Sequence, residues 1–286
     1  MVLERLVSDD WLEKKFHYAF FFAISHSIIG ICFAKLLFPS DPALVAVAFT
    51  SILLLPTISK VFDREEREAK ANKKFMISGF WRDESDFIKF YLAILAGVFL
   101  VYTLASALLP AFQVGYLFQS QLELRGASGG AVSSSLFSAL LKNNAIFLIA
   151  TFMIALLSGD GAIFLLIWNV SVWGTIFGVT ARNAAFFSGH NPIYYLALVL
   201  MIALPHAFLE IMSYILGAMG GGMISKDLVI ENGERKSDRF GVVFYRYVLL
   251  IGIGALIFLI AGALIEAWVL TNVETYRQII IQSYGV

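Results

Sequence analysis

His206 and Glu210 are ionisable residues four positions apart in a stretch, Pro192 to Ser225, that is otherwise almost wholly apolar. At about 100° per residue they share one helical face. An imidazole and a carboxylate so placed can bind a cation, relay a proton or hydrogen-bond within a bundle. Such groups are costly inside an apolar segment, which makes them functional candidates by default. Glu266, near the end of another apolar run, either points inward to join them or snorkels to the interface. Asn143, Asn144 and Asn169 are neutral partners within apolar runs. These six residues form the candidate polar intramembrane site, and His206, Glu210 and Glu266 are the candidate ligands for a divalent cation. No other cofactor is expected. The chain has no His-Glu-x-x-His motif, and two ligands at i, i+4 do not by themselves make a hydrolytic metal centre. His26, between Ser25 and Ser27, reads as a packing histidine, and Cys32 has no internal disulfide partner.

The face that carries His206 and Glu210 continues through Ser213, Gly217, Gly220 and Gly221, so it turns from polar to small. Small residues at fourfold spacing let a neighbouring backbone approach closely. Gly174 and Gly178, with Ser171, make a similar face in the preceding apolar run. As one helix, Pro192 to Ser225 would be roughly 51 Å long at 1.5 Å per residue. A bilayer core is about 30 Å thick. The segment must therefore tilt, bend or project, and Pro205 predicts a break.

The composition places these elements in a membrane. Of 286 residues, 59% are hydrophobic and 15% charged, where a soluble domain carries about 25% charged residues. The expected fold is an all-α polytopic bundle of about seven spans, near 16–38, 43–59, 90–112, 136–157, 162–181, 192–225 and 240–270. Six is the alternative if 136–157 is re-entrant or interfacial. The charge-mixed N-terminus ahead of a long apolar run excludes a signal peptide. Organisation follows as an N-terminal three-helix region (1–112) with a polar loop at 60–89, a connecting loop (113–135) and a second membrane region (136–286). Within 60–89, Phe75, Met76, Ile77, Phe80 and Trp81 beside Lys73 and Lys74 suit an interfacial anchor. With the N-terminus in the cytoplasm, most Lys and Arg fall on the inner side, against Arg125, Lys142, Arg182 and Arg277 outside. Zero net charge implies no attraction to nucleic acid.

Asn143-Asn144 opening one apolar run, Asn169 in the next, Leu204-Pro-His-Ala-Phe-Leu-Glu210 followed by Gly217, Gly220 and Gly222, and Ala263-Leu-Ile-Glu266-Ala-Trp together resemble the stage II sporulation protein M family over roughly residues 136–272. The family pattern usually has glycine after the histidine, where this chain has Ala207. The resemblance implies a helical membrane protein without established catalysis. The family's namesake is a membrane component of the engulfment machinery that recruits or anchors cell-wall hydrolases. For this chain it implies a non-catalytic scaffold or membrane-remodelling component. The partners would be the bilayer, other membrane or cell-envelope proteins and a second copy of the chain. A transporter or channel using the polar site, and an intramembrane metal-dependent hydrolase, are the competing readings.

Overall fold

Apolar runs of twenty or more residues can satisfy their backbone groups inside a bilayer only as helices or closed barrels, and nothing here alternates as barrel strands do. The computed structural model describes residues 16–71, 85–128, 136–189, 191–228 and 242–283. Among them are ten α-helices and no strand. They are α1 (Phe16–Leu37), α2 (Pro42–Ala71), α3 (Ser85–Leu108), α4 (Ala111–Leu117), α5 (Gln119–Ser128), α6 (Leu136–Ser158), α7 (Ile163–Ser188), α8 (Pro192–Leu228), α9 (Val242–Asn272) and α10 (Glu274–Ser283). Seven segments are long and apolar enough to cross a membrane: Phe16–Leu37, Pro42–Phe62, Ser85–Leu108, Leu136–Ser158, Asp160–Ser188, Pro192–Ser225 and Tyr245–Asn272. The chain is thus an all-α, multi-pass membrane bundle. The interfacial anchor expected at 75–81, the serines of 131–135 and the polar loop at 229–239 lie outside the described residues.

Helix ends follow local chemistry. Pro42 and Pro192 stand at first helical positions, where a missing N–H costs nothing. The Asn191 side-chain oxygen accepts the Ile193 N–H at 2.8 Å, a capping bond at the start of α8. Gly189 closes α7 in the left-handed region (φ 70°), and its N–H returns to the Ala185 carbonyl. A 3₁₀ turn at Asp160–Ala162 reverses the chain between α6 and α7. The break expected at Pro205 does not occur, because α8 runs as one helix through it. A proline withdraws a single ladder bond, and α2 likewise continues through Pro56.

The spanning helices pack in two groups. In the first, α1, α2, α3 and α7 form a ring, each touching its two neighbours. In the second, α6, α8 and α9 form a triangle, and the contact between α7 and α8 joins the groups. Glycines set the closest approaches. A Cβ on Gly97 would meet the Phe20 carbonyl oxygen, Ala23 Cβ and Ile24 N. On Gly178 it would meet the Thr103 carbonyl oxygen, Ser106 Cβ and Ala107 N, and on Gly221 the Phe152 carbonyl oxygen, Ala155 Cβ and Leu156 N. The same seat, residues i, i+3 and i+4 of an earlier helix, is used three times. Residue numbers rise together across the last two contacts (Gly174 on Phe99, Gly178 on Thr103; Gly217 on Leu148, Gly221 on Phe152), so α3 runs parallel to α7 and α6 to α8. Gly220 makes only ordinary contacts, with Ile251, Phe152 and Val248. Arg182 on α7 donates through Nη1 to the carbonyls of Ser106 (3.2 Å) and Leu109 (3.1 Å), capping the end of α3.

The connection expected at 113–135 is helical through Ser128. Its Val114, Leu117, Phe118 and Gln121 are buried, so it is part of the bundle. After α9, α10 folds back and buries Tyr276 and Ile279 against Tyr195, Val199, Ala203 and Val269.

Candidate functional site: a polar centre between three helices

The α6–α8–α9 triangle holds the polar centre. On α8, the 3.6-residue repeat puts His206, Glu210 and Tyr214 on successive turns of one face. His206 and Glu210 are buried, at 6% and 4% exposure, and Tyr214 is fully buried. On α6, Asn144 is buried and donates its side-chain N–H to Glu210 Oε1 at 2.8 Å. On α9, Glu266 is half-buried, and its carboxyl lies within electrostatic reach of that of Glu210. Like charges this close disfavour double ionisation, so a shared proton or a bound cation would relieve the pair. Gly262 makes the arrangement possible. A Cβ there would lie 3.0 Å from Glu210 Cγ and 3.4 Å from both Glu210 N and the His206 carbonyl oxygen. With hydrogen in its place, α9 and α8 close up and Glu266, one turn on, reaches Glu210.

The centre sits nearer one membrane face. Asn144 is eight residues, about 12 Å, from the start of α6, and Glu266 is six residues, about 9 Å, from the end of α9. Both ends open on the side that carries α10. There Tyr276 is buried, and its hydroxyl is pushed above the ordinary tyrosine range first by that burial and then by the Glu266 charge.

The candidate residues divide. Asn144, Glu210 and Glu266 meet. His206 is buried beside them, but its Nδ1 has no partner among the described residues, and Glu210 takes Asn144 and Glu266 as partners. Asn143 is exposed on the outer face of α6 and takes no part. Asn169 belongs to α7, outside the triangle, where its buried Oδ1 is unpartnered among the described residues. No group of three or more His, Cys, Asp or Glu side chains placed to hold a metal ion occurs among the described residues. Ser213, Gly217 and Gly221 face α6, Gly220 lies between α6 and α9, and Gly174 and Gly178 face α3. His26 is bonded within its own helix, through Nδ1 to the Phe22 carbonyl at 2.8 Å.

Two residues of the centre are not evident in the sequence. Tyr214 lies within electrostatic reach of both carboxyls, and its ring packs on Phe147 at 4.6 Å between centroids. Its i+4 spacing from Glu210 is a signal that points to it. Gly262 is one glycine in an apolar run, and only the packed neighbour gives it meaning.

No curated protein and no solved structure matches the chain significantly. The sequence model of one family, Stage II sporulation protein M, matches residues 86–270. The match begins at α3 and includes α4 and α5, so it reaches well upstream of Asn143, and it ends in the turn that carries Glu266. With almost two thirds of its length so matched, and with every residue of the polar centre inside it, the chain belongs to the Stage II sporulation protein M family.

Proposed function

We propose that this protein binds a proton or a cation at the Glu210–Glu266 pair and couples that occupancy to transport across the membrane. One observation carries the reading: two carboxyls from different helices meet at a buried position where one amide bonds only the first of them. If the centre served only to tie three helices together, glutamines would supply the same hydrogen bonds without the cost of a buried acid. A carboxyl pair adds an exchangeable proton. The test is flux in proteoliposomes under an imposed proton or monovalent-cation gradient. Wild-type protein is expected to dissipate the gradient, while Glu210→Gln and Glu266→Gln insert with unchanged melting temperature and pass nothing. Flux no greater than in empty vesicles, or equal flux through the Gln variants, would sink the reading.

The second reading is a non-catalytic membrane scaffold or remodelling component that recruits partner proteins. Family membership favours it. On that reading Glu210→Gln folds normally and retains function in a complementation assay, because hydrogen-bonding shape is kept and only charge is lost.

A further inference from the structure

The α1–α2–α3–α7 ring contains a second polar cluster, remote in sequence from Glu210 and Glu266 and uncharged. Phe118 and Gln121 lie on one helical turn, marked by the Leu122 N–H bond to the Phe118 carbonyl, and both are fully buried. Gln121 Nε2 lies 3.4 Å from Ser171 Oγ and 3.5 Å from the Ala43 carbonyl oxygen. Ser171 is 11 residues from one end of its span and 17 from the other, about 16 Å and 26 Å along the helix. The α4–α5 segment therefore enters the membrane interior. Near its mouth Tyr116 Oη donates to the Pro39 carbonyl at 2.7 Å. Inside, the Phe118 ring packs on Tyr102 at 5.2 Å, and the Tyr102 hydroxyl lies beside Thr50.

Three side-chain oxygens in this cluster, the Tyr102 hydroxyl and the two below, have no protein hydrogen-bond partner among the described residues. Gln121 has both donors directed at Ser171 and Ala43, yet its Oε1 is buried with no partner among the described residues. Thr175, one turn beyond Ser171 on α7 and fully buried, has an unpartnered hydroxyl. Side-chain carbonyls and hydroxyls left so inside an apolar medium each cost on the order of kilocalories, and native proteins satisfy such groups with ordered water that makes two to four hydrogen bonds. We infer that the ring encloses a bound-water site at Gln121 Oε1 and Thr175 Oγ, with Ser171, Thr50 and Tyr102 as neighbours, and that α4–α5 closes it from the side of the Pro39 turn. The all-neutral oxygen set suits water and gives a divalent cation no counter-charge.

Radiolytic hydroxyl-radical footprinting reads this directly, because radicals formed from bound water label the side chains beside it. Phe118 and Phe90 are both phenylalanines with 0% exposure, but only Phe118 packs on the Tyr102 ring of this cluster. Phe118 is expected to be modified several-fold faster than Phe90 in the intact, detergent-solubilised protein. Thr175→Val, which keeps shape, and Gln121→Leu should each lower the Phe118 rate towards that of Phe90. Equal rates in the wild type would overturn the site. So would a fast Phe118 that neither substitution slows, since the water would then be held elsewhere.

Discussion

At the scale of single residues, the adjacent Asn143 and Asn144 show how much one helical step decides. They differ by about 100° around α6. One faces outward, and the other bonds Glu210 at 2.8 Å. Asn144→Ala should therefore destabilise the protein by about 1–2 kcal/mol, within the range for interhelical bonds in membranes and bonds to charged groups. Asn143→Ala should fall within about 0.5 kcal/mol of wild type, as exposed substitutions do. Thermal unfolding of the two variants in one detergent measures the difference, and equal melting temperatures would remove Asn144 from the centre. The sequence shows that an asparagine pair opens the helix but not which member faces inward, because α6 is apolar around most of its circumference. It also pairs His206 with Glu210 by spacing, whereas Glu210 turns to two other helices for its partners. Spacing records what one helix can do alone and carries no information about a competing partner sixty residues away.

At the scale of helices, the glycine seats make a sharper contrast. A methyl group on Gly221 would meet backbone, the Phe152 carbonyl oxygen, and α6 could make room only by moving as a whole. On Gly220 it would meet side-chain atoms at 3.7–3.9 Å, ordinary contact distance. Gly221→Ala is expected to cost about 1–3 kcal/mol, the usual cost of overpacking, and Gly220→Ala to be neutral or slightly stabilising. The two melting curves decide this, and an equal gain in both would mean that helix propensity rather than close approach governs the site. Spanning helices and small-residue faces are legible in sequence because each is written into a contiguous pattern of one helix. The re-entry of α4 and α5 is not. Val114, Leu117 and Phe118 are too few to mark a membrane element, and Gln121 finds its place only through Ala43 and Ser171. A turn-rich, polar segment reads as a loop until its long-range partners are known.

At the scale of the molecule, the family match and the packing divide the chain differently. The match runs from α3 to α9, while α1 and α2 lie outside it yet complete the ring with α3 and α7. The N-terminal hairpin is thus a companion to the family region, seated on it through Gly97. Seven spans in order place the end of α2 and the helix α10 on opposite faces of the membrane: two crossings separate the chain start from residue 70, and seven separate it from residue 278. Opposite faces hold whichever way the protein inserts. By the positive-inside rule, the excess of Lys and Arg in the segments flanking α2 and preceding α9 predicts a cytoplasmic position for that face. A cysteine at Lys70 should then resist an impermeant thiol reagent in intact cells and react after permeabilisation. A cysteine at Gln278, an exposed position of α10, should react in both. The native Cys32 is exposed on α1 and is first replaced by serine so that it contributes no signal. Labelling at both sites in intact cells would remove a span from the count. Labelling at Lys70 alone would keep seven spans, invert the protein, and move the mouth of the polar centre, beside α10, to the cytoplasmic side.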